Sequence, residues 1–209
     1  MLKQTLLLSA LLMAGTLFFA FQGNETADDG YEPGDVARSF ELKNIDGKMW
    51  SPGDMPDAKG FIIVFTCNHC PFAKKYEDKL VKIDKTYRPK GYPIVAINPN
   101  DPDKYEADSY ENMIVRAREK GFTFPYLVDQ TQEIAMAYGA KKTPHVYVVE
   151  REGDKLVVRY VGGIDDNANN PARSKKQYLT DAVDALLAGN EVDPSTTKAI
   201  GCSIKWAKK

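Results

Sequence analysis

Cysteine and histidine are both scarce in this chain, with 3 cysteines and 2 histidines among 209 residues. A small exported domain that depends on disulfides for its stability carries a much denser set of cysteines, so that class of protein is excluded. A structural zinc site normally takes its ligands from two spaced Cys/His pairs, and the sequence offers a single pair. We therefore expect no cofactor and no metal site.

The chain also lacks an excess of charge of either sign. Its 28 basic and 29 acidic residues give a formal net charge of -1. Nucleic acids and anionic membrane surfaces attract strongly basic proteins, so neither is expected as a partner on the grounds of charge. An apolar content of 43% is that of a globular protein, and 209 residues suit one well-buried domain.

One long apolar run lies near the N-terminus, over residues 5–21. Lys3 precedes it and a polar stretch follows, which indicates a cleavable export signal; an uncleaved membrane anchor is the alternative. We assign residues 1–30 to this segment and its polar linker. The protein is predicted to be periplasmic or otherwise extracytoplasmic, and attached to a membrane only if the segment is not cleaved.

A second apolar run, over residues 61–65, ends at the motif Cys67-Asn68-His69-Cys70-Pro71, and a helical pattern follows at once. This order predicts a buried strand that delivers a Cys-x-x-Cys pair to the N-terminus of a helix. Unpaired backbone N–H groups and the positive end of the helix dipole favour a thiolate there. The sequence therefore predicts a thiol–disulfide site.

The spacing of the two cysteines allows Cys70 to attack a mixed disulfide formed by Cys67, so that the pair cycles between dithiol and disulfide. Half of a zinc site and a structural disulfide are the alternatives. His69 lies between the cysteines, where an imidazolium would stabilise the Cys67 thiolate and hence the reduced form. Cys67, Cys70 and His69 are the candidate catalytic residues.

The rest of the sequence predicts an α/β protein. A hairpin with Asp46-Gly47 at its tip precedes the central strand, and the patterns after it follow the order β-α-β-α-β-β-α. That order indicates a central mixed sheet flanked by helices, with an N-terminal β-hairpin extension. We assign residues 31–190 to this domain and residues 191–209 to a C-terminal tail that contains Cys202.

The dipeptide Thr143-Pro144 stands between the end of a predicted helix and the start of a predicted strand. A cis bond before proline is typical of a tight turn in such a position. A trans proline at the first residue of a strand is the alternative.

A series of separated motifs from residue 36 to the C-terminus supports a more specific interpretation. The chain resembles a thioredoxin-fold redoxin of the peroxiredoxin-like, AhpC/TSA-related group that carries a Cys-Asn-His-Cys-Pro motif. The motifs are Cys67-Asn68-His69-Cys70-Pro71-Phe72, Ala96-Ile97-Asn98-Pro99-Asn100-Asp101, Phe124-Pro125-Tyr126-Leu127-Val128-Asp129, Tyr138-Gly139-Ala140, Thr143-Pro144, Gly163-Ile164-Asp165-Asp166-Asn167 and Gly201-Cys202-Ser203-Ile204-Lys205-Trp206.

This resemblance implies a thioredoxin-like fold in which Cys67 is the exposed nucleophile and Cys70 is the resolving thiol. It implies that Pro144 is cis, packs against the cysteines and belongs with them to the catalytic site. The backbone of Thr143 would pair with a bound peptide or thiol substrate. The residues expected to contact substrate are Thr143, Thr66 and Pro71.

The chain departs from both parent families near the cysteines. Phe61 stands where thioredoxins have a buried acid, and Thr66 replaces the usual aromatic residue. Peroxiredoxins carry a threonine three residues before the nucleophilic cysteine. This sequence has no threonine three residues before Cys67 or before Cys70. Arg159 could approach the site as a peroxidatic arginine does, but a charge on a surface strand is favoured.

The leading hypothesis is an exported thiol–disulfide oxidoreductase that acts on protein or small-molecule thiols and disulfides with a separate redox protein as electron donor or acceptor. A thiol peroxidase, with peroxide as a substrate, is the first alternative. A Cu(I)-binding chaperone with His145 as third ligand is the second. His145 could equally be an ordinary strand residue. Cys202 could resolve a disulfide with Cys67, bind a metal, or have no role.

Overall fold

The structure is a computed structural model, and it describes residues 30–208. Apart from Gly30, the predicted export segment lies outside the described residues. The strands are β1 Val36–Ala37, β2 Leu42–Asn44, β3 Met49–Trp50, β4 Gly60–Phe65, β5 Ile94–Asn98, β6 Tyr126–Val128, β7 Lys142–Thr143, β8 His145–Glu152, β9 Lys155–Gly162 and β10 Cys202–Ser203. The helices are α1 Pro71–Tyr87, α2 Tyr110–Lys120, α3 Glu133–Tyr138 and α4 Tyr178–Leu187.

Eight strands form one mixed sheet in the order β1-β9-β8-β4-β5-β6-β2-β3. Strand β4 lies in its interior, parallel to β5 and antiparallel to β8. This arrangement confirms the predicted α/β class, with helices on the faces of a mixed sheet. It also places the end of β4, where the cysteines follow, beside the end of β5.

The apolar run of β4 is uninterrupted because both of its faces are covered. Ile62 and Val64 pack in a cluster with residues of α1, α2 and α4. Phe61, Ile63 and Phe65 point to the opposite face, where α3 and the segment before β2 pack. Packing on both faces thus holds β4 in place, and with it the position of the cysteine motif that follows.

The predicted hairpin is formed by β2 and β3, with Leu42 opposite Trp50. Gly47 at its tip has a φ of 85°, a conformation that glycine adopts without strain. Strand β2 also pairs with β6, so the hairpin supplies the last two strands of the central sheet rather than a separate extension.

Two acidic residues of α1, Glu77 and Asp84, lie in the protein interior. Glu77 is 4% exposed and accepts two hydrogen bonds of 2.7 Å from Arg116 of α2. Asp84 is fully buried and accepts a hydrogen bond from the backbone N–H of Ile94. Both buried carboxylates thus have hydrogen-bond partners, as buried charges require.

The C-terminal tail packs back onto the domain. Strand β10 pairs with β7, with Cys202 opposite Thr143, and Ile204 is buried in the cluster that contains Phe61. A Cβ atom on Gly201 would lie 2.2 Å from the carbonyl oxygen of Thr143, so glycine is required for this approach. The tail is therefore part of the folded unit and reaches the predicted site.

Within residues 30–208, no helix combines the length and the apolar character that crossing a bilayer requires.

Candidate active site

The motif lies in a short connection between β4 and α1. The N–H of Thr66 donates to the carbonyl oxygen of Ile97, which holds the chain beside β5 after β4 ends. Helix α1 begins at Pro71, with Cys70 as its N-cap residue. Proline fits the first helical position because no intrahelical partner is available for an N–H there. The predicted strand, dithiol and helix are therefore in place.

Both cysteines of the motif are buried, and this contradicts the expectation of an exposed nucleophile. Cys67 is 2% exposed and Cys70 is 0% exposed. Besides the neighbouring Phe72, two residues distant in the sequence cover them, since Cys202 packs against the same cluster and Thr143 contacts both sulfurs. The sequence motif carries no information about these covering segments.

The peptide bond between Thr143 and Pro144 is cis, as predicted. The hydroxyl of Thr143 lies 3.2 Å from Cys67 Sγ, and the thiol of Cys70 donates to the carbonyl oxygen of Thr143 over 3.1 Å. One residue of the loop thus contacts both thiols, through its side chain on one and its backbone on the other.

The backbone of Thr143 was expected to pair with substrate, but its antiparallel partner in the structure is Cys202 of the tail. Thr66, also expected to contact substrate, is 6% exposed. Pro71 remains exposed beside the cysteines. The pairing of the C-terminal tail with β7 explains why the predicted substrate edge is occupied.

His69 contacts Cys67 and a carboxylate through the same ring atom. Its Nδ1 lies 3.6 Å from Cys67 Sγ and 2.5 Å from Asp108 Oδ2. A Ser-His-Asp type of relay uses both ring nitrogens, one for the nucleophile and one for the acid. This arrangement is different: the carboxylate and the thiol share one nitrogen, and Asp108 lies next to the position where a thiolate would form.

Asp108 is a site residue that the sequence reasoning did not identify. Its side chain is fully buried, and it accepts hydrogen bonds from the backbone N–H groups of Asn68 and His69 at 2.7 and 3.0 Å. The amide of Asn100 donates to its second oxygen over 2.8 Å. One sequence feature could have pointed to Asp108, namely the polar stretch after β5. The carboxyl ends of adjacent parallel strands meet at one edge of a sheet, so the segments after β4 and β5 lie close together.

The two thiols of the motif share a hydrogen bond that separates their acidities. Interaction with the Cys67 side chain lowers the pKa of Cys70 to about 4, against the effect of burial. The same hydrogen bond, burial and the Asp108 carboxylate raise the pKa of Cys67. The pKa values of the two thiols are thus moved in opposite directions, and the Cys70 thiol, at the N-cap of α1, donates to the Thr143 carbonyl oxygen.

Two other residues considered as ligands or catalysts lie elsewhere. His145 faces Phe65 across the β4–β8 ladder, its ring packs on Tyr147, and burial with Lys141 nearby lowers its pKa to about 4. Arg159 forms ion pairs with two glutamates of β8 and is a strand charge, as favoured from the sequence. The titratable groups that gather at Cys67 are instead His69 and Asp108.

Cys202 lies on the Cys70 side of the pair. It packs in the cluster that contains the two motif cysteines, and it contributes to the lowered pKa of Cys70 through a hydrogen bond between their side chains. Burial, with Cys70 alongside, raises the pKa of Cys202 to about 11. The structure thus brings three thiols together, in an arrangement that the motif alone did not predict.

Comparisons with known proteins agree with the predicted fold and enzyme class. The profile of the AhpC/TSA family matches residues 33–161. The thiol-disulfide oxidoreductase ResA of Halalkalibacterium halodurans is 24% identical over 151 residues, which are 72% of this chain and 81% of that protein. This agrees with the enzyme class predicted from the sequence.

Solved structures give the same result for the fold. An uncharacterized conserved protein from Geobacillus kaustophilus is 42% identical with a TM-score of 0.79, covering 85% of this chain and 94% of that one. A putative thiol:disulfide interchange protein DsbE from Chlorobium tepidum is 20% identical with a TM-score of 0.56, covering 75% and 98%. The chain therefore has the predicted thioredoxin-like fold.

Proposed function

Because this chain belongs to the AhpC/TSA family, we propose that it is a thiol–disulfide oxidoreductase that works through Cys67 and Cys70. The observation that carries the proposal is the geometry at the end of β4, where both sulfurs contact Thr143 next to a cis proline. A pair of thiols with separated acidities, held beside a helix N-terminus, is equipped for disulfide exchange.

In the proposed reaction the Cys67 thiol loses its proton to solvent and its sulfur attacks a substrate disulfide. A mixed disulfide forms, and the first substrate sulfur leaves as a thiolate. The Cys70 thiol then gives its proton to that thiolate and attacks the Cys67 sulfur. The second substrate sulfur leaves as a thiolate that takes a proton from solvent, so the enzyme ends as the Cys67–Cys70 disulfide and the substrate ends as two thiols. A donor dithiol regenerates the reduced enzyme.

We place this reaction outside the cytoplasm, on the grounds of the apolar run over residues 5–21 and the polar stretch after it. Thiols and disulfides of proteins or of small molecules are the proposed substrates. A separate redox protein is the proposed source or acceptor of electrons.

Thiol peroxidase activity remains the second candidate, and one contact favours it. The hydroxyl of Thr143 lies 3.2 Å from Cys67 Sγ, so strand β7 brings to the nucleophile a threonine that this chain's own motif lacks. Peroxide would oxidise Cys67 to a sulfenic acid, and Cys70 would condense with it to a disulfide and water. Arg159 is held by glutamates of β8 and does not supply the arginine of that reaction.

The proposed order of attack predicts that Cys70→Ser traps the intermediate. Without Cys70, the thiol that normally attacks the mixed disulfide between Cys67 and the substrate is absent. The mixed disulfide should therefore accumulate. Intact-protein mass spectrometry after incubation with oxidised glutathione should show one added glutathionyl group on most of the protein.

Cys67→Ser is the matched control for this experiment. It keeps Cys70 and Cys202 but removes the attacking sulfur, so a stable glutathionyl adduct should form on a small fraction at most. Equal trapping in the two variants, or trapping only in Cys67→Ser, would reverse the assignment of nucleophile and resolving thiol.

Cys202 is proposed to exchange with Cys70 rather than with Cys67, because its contacts lie on the Cys70 side of the cluster. Cys67→Ser protein treated with oxidised glutathione is therefore expected to form a Cys70–Cys202 disulfide with release of two glutathione molecules. Peptide mapping without reduction identifies the linkage. If Cys70→Ser instead gives a Cys67–Cys202 disulfide as readily, the tail thiol serves Cys67.

A further inference from the structure

We propose that the reduced protein binds a thiophilic divalent cation such as Zn²⁺ through Cys67 Sγ, His69 Nδ1 and Asp108 Oδ2. These three atoms all lie within 4.8 Å of one another. They come from two distant segments, the β4–α1 connection and the loop before α2, so the fold and not the local sequence assembles them. The sequence led us to expect no metal site because a second Cys/His pair is lacking.

The spacing of the sulfur and nitrogen atoms fits a tetrahedral ion. Zinc bonds of about 2.3 Å to sulfur and about 2.0 Å to nitrogen separate the two ligand atoms by about 3.5 Å. In the structure His69 Nδ1 lies 3.6 Å from Cys67 Sγ. These two ligands therefore need little rearrangement to hold the ion.

The nitrogen and the carboxylate oxygen must move apart. They lie 2.5 Å apart and share a proton, whereas tetrahedral bonds of about 2.0 Å to each would separate them by about 3.3 Å. The adjustment is less than about 1 Å, and the ion takes the place of the shared proton. His69 can make this movement because its side chain is 12% exposed, while that of Asp108 is fully buried.

Neighbouring groups hold two of the ligands in orientation, as second-shell partners do in metal sites. The backbone N–H groups of Asn68 and His69 donate to Oδ1 of Asp108 and leave Oδ2 for the ion. The amide of Asn100 lies 2.8 Å from Oδ2. The ring of Tyr105 stacks on His69 with 3.9 Å between centroids.

The charge and softness of the ligands favour zinc or cobalt over magnesium or calcium. A thiolate and a carboxylate neutralise a dication, and sulfur and imidazole ligands suit later transition metals. Binding would release the protons of the Cys67 thiol and of the imidazole Nδ1. Three protein ligands leave a tetrahedral ion one further position for water.

Metal binding and disulfide formation would exclude each other, because the same sulfur serves both. A bound ion would also prevent Cys67 from attacking a substrate, so zinc should inhibit turnover reversibly. This inhibition rests on the proposed function, whereas the binding itself depends only on the reduced thiol.

The test measures the binding of Zn²⁺ to reduced protein against a chromophoric chelator, in parallel with Co²⁺ as a spectroscopic probe. Reduced wild-type protein and the Cys70→Ser, Cys202→Ser double variant should each bind one ion, and Co²⁺ should show a thiolate charge-transfer band in both. Cys67→Ser should lose the band. His69→Ala and Asp108→Asn should each weaken Zn²⁺ binding at least tenfold. Asp103→Asn, on the same loop, should bind as the wild type does.

Loss of binding in the double variant would show that the cysteines alone hold the ion and would overturn the proposal. So would unchanged affinity in His69→Ala, which retains the buried Asp108 contacts and provides a result even if Asp108→Asn folds poorly. Disulfide turnover measured with a chelator present is independent of this site, so failure of metal binding is distinguishable from failure of the proposed function.

Discussion

Replacing Cys67 with serine is expected to lower the rate of disulfide reduction by roughly 10³-fold or more, the scale seen when a catalytic nucleophile is removed. The hydroxyl of serine remains protonated at neutral pH and cannot exchange with a disulfide. Serine is close to cysteine in size and can still contact Thr143. The loss of activity should therefore reflect the missing thiol and not a change in packing. Turnover is measured as reduction of insulin disulfides by dithiothreitol.

Cys202→Ser provides a matched comparison because it removes a thiol from the same cluster. It should retain more than about a tenth of the wild-type rate, because the pair that carries the exchange is intact. Urea unfolding of each variant excludes loss of structure as the cause. A Cys67→Ser protein that keeps most of its turnover would contradict the proposed function.

Asp108→Asn is expected to lower the free energy of unfolding by about 3 kcal/mol, as when one partner of a buried charged pair is removed. The carboxylate is fully buried and accepts hydrogen bonds from two backbone N–H groups, from the Asn100 amide and from His69. An asparagine amide would direct its own N–H groups at some of these donors. Urea denaturation monitored by fluorescence measures the change.

Asp103→Asn is the control for this substitution because Asp103 is exposed on the same loop. It should change the free energy of unfolding by less than about 0.5 kcal/mol. A similarly small change for Asp108→Asn would mean that the hydrogen bonds around this carboxylate do not stabilise the fold.

The same variant also reports on the acidity of Cys67. The hydrogen bond with Cys70, burial and the Asp108 carboxylate all raise the pKa of Cys67, so removal of the carboxylate should lower it. In a Cys70→Ser, Cys202→Ser background, the pH midpoint of alkylation should therefore move to lower pH with Asp108→Asn. A midpoint at higher pH would show that Asp108 acts mainly by supporting a positive charge on His69.

The parts of the fold that depend on neighbours in the sequence could be predicted. The strand before Cys67, the helix from Pro71 and the hairpin around Gly47 each follow from a local pattern. The cis bond at Pro144 came from the resemblance to a known family, because its position between two elements made it plausible but did not decide it.

The parts of the site that depend on distant segments could not be predicted in the same way. Asp108 approaches His69 from 39 residues away, and Cys202 reaches Thr143 from the tail. The pairing of β4 with β5 could have pointed to the Asp108 loop, since loops at the same edge of a sheet meet. Nothing in the spacing of the cysteines indicates that they are buried.

The pairing of β10 with β7 means that the strand edge at Thr143 is already occupied by the protein's own tail. A segment tethered to the site is present at an effective concentration on the order of millimolar. A peptide that pairs with Thr143 has to displace Cys202 and its neighbours from that edge, including the buried side chain of Ile204. Small disulfides need no strand pairing and avoid this competition. In the proposed function the tail would therefore favour small disulfides, or a partner protein with additional contacts strong enough to displace it.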